Sequence, residues 1–417
     1  MPYTHKDNGV HKEFGEEVVL KYLMLYEDRG LDIEYAEAQY VWDKNGKRYL
    51  DMYTGHGVAF LGHKHPRVVK ALIDQINNIM TLPTSFRIRV RDEMLEVLSR
   101  IIPKRYEYVY LLNSGSEAVD FALKICRKVT RRRKIIYFTG SFHGRTYGAL
   151  SITSNPKYRE GFEPLLPETV QIKFNSIDDV DKYVDDATAC VILELIQGEG
   201  GINIADEEFV RFVRKKTEEV GALMVVDEIQ TGFGRTGSVW LFEQYGIEPD
   251  MFLAGKAIGG GFPVSAIFLP RDIGEKMEIG SHGSTYGGNP LACVAVKAST
   301  EVLIEENVAL QAEAKGKMFI DMLKNKLKDY RIVKEVRGRG LMIGVDLRLR
   351  PGEIIKCMQQ NGVIALKAGN TIVRFLAPYV ITNNNIEQAV ETLDKCINQE
   401  LSNRHASGST QDLQSSA

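Results

Sequence analysis

Cysteine, surplus charge of one sign and long apolar runs are all scarce in this chain. Its 417 residues include five cysteines, Cys126, Cys190, Cys293, Cys357 and Cys396. They are odd in number and widely spaced, and no Cys-x-x-Cys pair occurs. Neither a disulfide framework nor a zinc site is expected, and a reducing cytoplasm is the default setting. Fifty-three basic and 55 acidic side chains leave a net charge of −2. Such a balance lacks the electrostatic footprint of a protein that binds nucleic acid or an anionic membrane. The least interrupted apolar stretch, Met251 to Pro270, is broken by Lys256 and four glycines, so no membrane span is expected. The N-terminus, Met1-Pro2-Tyr3-Thr4-His5-Lys6-Asp7, has no signal-peptide core. No internal repeat is found.

What is present is enough chain for two or three domains and a large core. Two β-rich runs flank Asn45-Gly46, which predicts a type I′ hairpin over 37–52. A helix is expected after His65-Pro66, with Val68, Val69, Leu72 and Ile76 on one face. From about residue 105 strands alternate with helices. The strands are expected at Tyr108–Leu112, Ile135–Phe138, Cys190–Leu193, Ala222–Val226, Met251–Leu253 and Val264–Leu269. Helices are expected at Glu117–Arg131 and Glu207–Val220. This alternation predicts an α/β fold, a mostly parallel sheet covered by helices, with its site at the strands' carboxyl ends. A long helical region from Pro290 to Tyr330 precedes a strand over Val333–Leu347, a helix from Pro351, a strand Thr371–Leu376 and a last helix from Asn384. These form a smaller α/β domain. The tail 402–417 is rich in Ser, Gly, Gln and Asn and is expected to be disordered.

Lys256 is the most telling residue. In Pro249-Asp250-Met251-Phe252-Leu253-Ala254-Gly255-Lys256 a buried strand delivers an amine into the turn Gly259-Gly260-Gly261. A lysine at the end of a core strand is costly unless paired, exposed in a site or used covalently. Burial lowers its pKa and frees the nucleophilic amine. The preceding strand ends in Asp227-Glu228. A carboxylate and a lysine on successive strand ends are the two polar contacts that a pyridoxal-phosphate (PLP) ring needs. Alone, Lys256 reads more readily as a solvated strand-end lysine than as a Schiff-base former, so its company decides.

That company comes in a fixed order. Leu112-Asn113-Ser114-Gly115-Ser116-Glu117-Ala118 turns a strand into a helix through small residues. It can cradle a phosphate on open N–H groups, or it can be an ordinary Ser cap. In Ser141-Phe142-His143-Gly144-Arg145-Thr146, an aromatic can stack on a planar cofactor and an arginine can fork onto a carboxylate. Glu194-Leu195-Ile196-Gln197-Gly198-Glu199 places carboxylates after another strand. In His282-Gly283-Ser284-Thr285, Thr285 can serve a phosphate. Gly232-x-Gly234-x-x-Gly237 imitates a dinucleotide fingerprint, but it does not directly follow its strand or open a helix. Ala254-Gly255-Lys256-Ala257 imitates a P-loop, yet Asp250 stands where glycine is needed and Ala257 where Ser/Thr is needed.

In this order the motifs resemble the class III aminotransferases of the ornithine/acetylornithine type, PLP enzymes of fold type I, from about Tyr26 to Leu401. The resemblance implies a large domain with a seven-stranded, mostly parallel sheet over 61–300. It implies a small domain built from 1–60 and 301–401, and a homodimer or dimer of dimers with shared active sites. Lys256 would be the Schiff-base lysine and proton shuttle, and Asp227 would hold the pyridinium nitrogen protonated. Gln230 would touch the phenolic oxygen and Phe142 would stack on the ring. Ser114, Gly115 and Ser116 would bind the phosphate with Thr285 of the neighbouring subunit. Arg145 would take the carboxylate far from the reacting amine, and Arg374, in Val373-Arg374-Phe375, the α-carboxylate of glutamate. Glu199 would neutralise Arg374 when a terminal amine is the substrate. His56 stands where ornithine aminotransferases carry a specificity tyrosine, which argues against free ornithine. Tyr26 and Ser284 would also contact substrate.

Thr54-Gly55-His56-Gly57-Val58-Ala59-Phe60-Leu61-Gly62-His63 and Val336-Arg-Gly-Arg-Gly-Leu-Met-Ile-Gly344 are most similar to archaeal enzymes of lysine and arginine biosynthesis. Those enzymes aminate a semialdehyde held on a small acidic amino-group carrier protein, with glutamate as donor. The basic run Arg131-Arg132-Arg133-Lys134 reads either as a dock for such a carrier or as a solvated helix end. A 4-aminobutyrate or free ornithine aminotransferase is the competing reading. An NAD-dependent dehydrogenase and an inactive scaffold are the distant ones.

Overall fold

The computed structural model describes residues 20–406. The polar N-terminus and residues 407–417 of the tail lie outside the described residues. Three antiparallel strands come first, β1 (Ile33–Glu37), β2 (Tyr40–Asp43) and β3 (Arg48–Asp51). The expected hairpin forms with a different turn. Of Asn45-Gly46 only Gly46 is left-handed, φ +76°, and its N–H donates to the Asp43 carbonyl. The Asp43 carboxylate accepts the N–H groups of Asn45 and Lys47. This side-chain turn favours a longer loop with a glycine bulge over a type I′ turn.

The large sheet contains β4 (Tyr106–Leu112), β5 (Lys134–Phe138), β6 (Thr169–Ile172) and β7 (Thr188–Leu193). A short ribbon, β8 (Ile196–Gln197) with β9 (Asn203–Ile204), leads on to β10 (Leu223–Asp227), β11 (Met251–Ala254) and β12 (Ser265–Pro270). Their order is β4-β12-β11-β10-β7-β5-β6. β12 runs against both neighbours, and the other six share one direction. β6 is absent from the sequence reading because only Ile172 of its four residues is buried. β10 is apolar on both faces for a reason. Met224 and Val226 share a core with Phe209, Val210 and Val213 of the helix Glu207–Val220. Val225 points the other way, into the core of Ala118, Ala122 and Ile125 on the helix Gly115–Thr130. Helices on both faces require continuous apolar strands.

Beyond the sheet, the helical region read from Pro290 to Tyr330 is two helices, Pro290–Glu305 and Val308–Leu327. They separate where Asn307 turns left-handed, φ +51°. The strand read over Val333–Leu347 is a hairpin, β13 (Val333–Arg339) and β14 (Met342–Leu347). It folds back at Gly340, φ +52°, where a Cβ would lie 2.5 Å from the Arg235 carbonyl oxygen. After the helix Gly352–Gln360, β15 (Val363–Ile364) pairs in parallel with β3 and joins the two ends of the chain. β16 (Leu366–Ala368) and β17 (Ile372–Phe375) complete a sheet of order β13-β14-β17-β16. The last helix, Asn383–Ala406, continues into residues 402–406, which were expected to be disordered.

The cysteine reading needs correction. Cys357 and Cys396 form a disulfide, with Cα atoms 5.7 Å apart and a separation of 39 positions in sequence. Each sits on one of two helices packed together, a proximity that no spacing motif reports. Cys126, Cys190 and Cys293 are free and buried. Among the described residues there is no cluster of three or more metal-binding side chains and no helix long and apolar enough to cross a membrane.

The glycines of Gly232-x-Gly234-x-x-Gly237 serve close packing. A Cβ on them would meet Trp240 at 2.8 Å, Leu303 at 2.9 Å and Glu313 at 3.0 Å. Between them the buried Arg235 donates to the carbonyls of Gly57, Leu341 and Ala377, and its guanidinium lies 4.2 Å from the centre of the Phe60 ring. One side chain thus ties the N-terminal segment to the C-terminal sheet. Arg235→Met would strip the donors from three buried carbonyls, each deficit costing about 1–3 kcal/mol. The expected result is a loss of at least about 3 kcal/mol in denaturant unfolding.

Candidate active site

Because the parallel strands point one way, their carboxyl ends gather functional side chains along one edge. β11 delivers Lys256, which starts a single 3₁₀ turn with φ +45°. That conformation is rare for a lysine, and it persists where the surroundings fix it. The amine makes no hydrogen bond or ion pair among the described residues. Burial lowers its pKa, opposed by the charges of Glu199 and Asp227.

β10 lies alongside, with Asp227 level with Leu253. Asp227 Oδ2 meets His143 Nδ1 at 2.7 Å, and Oδ1 accepts the Ile229 N–H at 3.0 Å. Burial by itself would lower the His143 pKa. The hydrogen bond and charge of Asp227, helped by Glu194, hold it above the ordinary value. The pairing with Asp227 thus outweighs burial at this ring. Glu194 accepts the N–H groups of Phe142 and Gly198, and burial pushes its carboxyl up to about 7 against the pull of His143.

The helix Gly115–Thr130 starts at the same edge. At this helix start Ser114, expected among the phosphate ligands, is the cap. Its hydroxyl accepts the Glu117 N–H, and its own N–H donates to Glu117 Oε2 at 2.8 Å. The Ser116 hydroxyl is likewise engaged, accepting the N–H groups of Arg145 and Thr146 at 3.0 Å each. Gly144, φ +133°, permits this approach, since a Cβ there would sit 2.2 Å from Ser116 Oγ. What remains open at the helix start are the N–H groups of Gly115 and Ser116, which have no partner among the described residues. Such a pair of donors at a helix N-terminus suits an anion.

These groups enclose a cavity of about 260 Å³ lined by Gly115, Ser116, Phe142, His143, Gly144, Arg145, Glu194, Glu199, Asp227, Ile229, Gln230 and Lys256. Arg145 is exposed at its rim. Its guanidinium lies 3.6 Å from the Tyr158 ring centre and 5.6 Å from that of Phe142, and it makes no ion pair among the described residues. Arg374, on β17, is buried, with Nη2 2.7 Å from Glu199 Oε1 and Nη1 3.3 Å from Gln230 Oε1. Burial opposes ionisation of Glu199, but Arg374, with Lys256 and His56, keeps its pKa below the ordinary carboxylate value. His56 Nδ1 lies 3.9 Å from the same Oε1, and the exposed Tyr26 ring is centred 5.8 Å from His56.

Two expected residues stay outside this group. Ser284 bonds Asn113 Nδ2 and the Gly287 N–H, and Thr285 is exposed. His143 and Tyr158 were given no role from sequence. Nothing in the spacing shows that a loop histidine reaches Asp227 or that residue 158 returns to residue 145.

A buried amine without a partner, a carboxylate one strand away and two open N–H groups at a helix start, all on one cavity, fit PLP. Together with the sheet they define a PLP-dependent transferase of fold type I. The chain belongs to the family described as Aminotransferase class-III, which matches residues 26–397. It is 55% identical over 378 residues, 91% of this chain and 97% of the relative, to the LysW-aminoadipate semialdehyde/glutamate semialdehyde transaminase of Sulfurisphaera tokodaii. It is 40% identical to the acetylornithine aminotransferase of Archaeoglobus fulgidus, over 89% of this chain and 96% of the relative. The ornithine aminotransferase of Toxoplasma gondii, solved with PLP at partial occupancy, matches with a TM-score of 0.87 at 30% identity, covering 91% of this chain and 92% of that one. The protein is a PLP-dependent aminotransferase.

Glu228, beside Asp227, is buried. It accepts the Phe242 N–H at 2.8 Å and the Thr231 hydroxyl at 2.6 Å, and burial pushes its pKa up to about 7. The unfolded chain ionises this carboxyl near the ordinary value while the folded one still holds the proton. Stability present below that pH is therefore lost as pH rises toward 7, by roughly 3 kcal/mol at most. Glu228→Gln should flatten this fall, as measured by denaturant unfolding at pH 5 and pH 7.5.

Proposed function

We propose that this aminotransferase exchanges an amino group between glutamate/2-oxoglutarate and the terminal amine/semialdehyde of an N-blocked lysine or ornithine. The blocking group would be an acidic carrier protein or an acetyl group, and the pathway lysine and arginine biosynthesis. The observation that carries the reading is the unequal standing of two arginines in one site. Arg374 is already neutralised by Glu199 at 2.7 Å, whereas Arg145 carries no counter-charge. A terminal amine bearing one distant carboxylate needs only Arg145. Glutamate brings two carboxylates and needs both arginines. The names of the two relatives support the same substrate class.

PLP, when bound, supplies the electron sink. The residues of this chain do the rest. Lys256 Nζ would hold the cofactor and, once exchanged for the substrate amine, would with its lowered pKa take a proton from the substrate carbon and return it. Asp227, oriented by His143, would hold a proton at the cofactor's ring nitrogen. The N–H groups of Gly115 and Ser116 would hold its phosphate, together with Thr285 of a second subunit in a homodimer. Phe142 and Gln230 would hold its ring. Tyr26 and His56 would border the substrate, with Ser284 reaching it alongside Thr285 from a second subunit. The two half-reactions share one site, which implies ping-pong kinetics.

The assignment is tested by half-reaction spectra with glutamate, LysW-linked lysine, N-acetylornithine, free ornithine and 4-aminobutyrate. The N-blocked amines should react with kcat/KM at least about tenfold above the last two. If 4-aminobutyrate or free ornithine reacts best, the biosynthetic reading is wrong. Borohydride should fix the cofactor on Lys256, and Lys256→Ala should lower kcat by at least about 100-fold. Arg145→Met should lower kcat/KM about tenfold or more for glutamate and N-acetylornithine alike.

A further inference from the structure

When glutamate's α-carboxylate takes Arg374, Glu199 must leave it. A carboxylate displaced inside a protein is costly unless another donor receives it. One nitrogen is placed for this. His56 Nδ1 lies 3.9 Å from Glu199 Oε1, the same oxygen that sits 2.7 Å from Arg374 Nη2. That gap is too long for a hydrogen bond, so the two groups are unjoined while Glu199 pairs with Arg374. A small swing of the carboxylate closes it.

The imidazole is held for this exchange. Gly55 and His56 are both left-handed, φ +58° and +59°, which turns the ring toward the site. Such a backbone at a non-glycine residue is a strain that needs a reason. Tyr53 stands edge-on to the ring at 4.6 Å, and its hydroxyl lies 2.5 Å from Nε2. Burial raises the Tyr53 pKa, so the phenol keeps its proton, and the arrangement we build on is the one in which it donates that proton to Nε2. The remaining ring proton then belongs on Nδ1, the nitrogen nearest Glu199. Burial also lowers the His56 pKa, so at neutral pH the ring offers a donor and no competing charge. Glu199 is therefore not drawn from Arg374 until a substrate carboxylate displaces it.

We infer that His56, with its tautomer set by Tyr53, is the position to which Glu199 moves when glutamate occupies Arg374, and so is a positioning residue for one half-reaction only. This deepens the two-arginine reading above and rests on it. Where ornithine aminotransferases carry a tyrosine, this chain has a side chain whose second nitrogen can be fixed as a donor.

The test uses full-length holoenzyme and single-turnover half-reactions. His56→Phe fills the space without the donor, and His56→Gly removes the ring at a backbone that glycine adopts freely. Both should lower kcat/KM for glutamate about tenfold, mainly through KM, and lower that for N-acetylornithine by a severalfold smaller factor. Tyr53→Phe should give a smaller loss of the same kind. His56→Asn, which tolerates the left-handed backbone and keeps an N–H, should recover part of the glutamate reaction. Equal losses in both half-reactions, or none with glutamate, overturn the inference. Arg374→Lys separates the two failures. If it leaves the KM for glutamate unchanged, the two-arginine reading itself falls. If it raises that KM while His56→Phe and His56→Gly do not, only the role of His56 falls.

Discussion

The 2.7 Å contact between His143 Nδ1 and Asp227 Oδ2 joins the loop after β5 to the end of β10 in the buried floor of the site. Its consequences spread outward. A carboxylate buried without a partner would protonate or unfold its surroundings. Paired with the His143 ring, it is held in place beneath the cavity. Glu194, next to this pair, yields instead and holds its proton up to about pH 7. Lys256, facing the same carboxylates without touching them, is left as the group whose amine is free to react. Charge is thus sorted among four neighbouring residues by burial and pairing.

Two buried arginines answer a second constraint. Arg235 spends its donors on the carbonyls of Gly57, Leu341 and Ala377 and so fixes the N-terminal segment against the C-terminal sheet. Arg374 arrives on that same sheet and reaches into the site from β17. Arg235 holds the framework, while Arg374 stays exchangeable through Glu199. The turn bearing His56 ends at Gly57, whose carbonyl Arg235 holds, so the framework also fixes where His56 can stand.

Much of this was legible in the chain. The strands on either side of Asp227 and Lys256 are apolar on both faces, and strands of that kind require a helix-covered parallel sheet. The order of motifs then identified the family. The misreadings each have a physical cause. β6 buries one residue and shows no pattern. Asn307 divides two helices by a backbone twist that leaves no break in the apolar sequence. Asp43 changes the hairpin turn with its side chain.

The sequence by itself determined the class of fold, the lysine that carries the chemistry and the carboxylate that accompanies it. These follow from local pattern, namely apolar runs and what stands at their ends. Only the tertiary structure decided that His143 meets Asp227, that Tyr158 lies under Arg145, that Cys357 reaches Cys396, and that His56 stands within 4 Å of a carboxylate already held by Arg374. The partners in each pair come from separate elements. Their contact depends on how strands and helices are packed and on side-chain directions, and no local spacing encodes either.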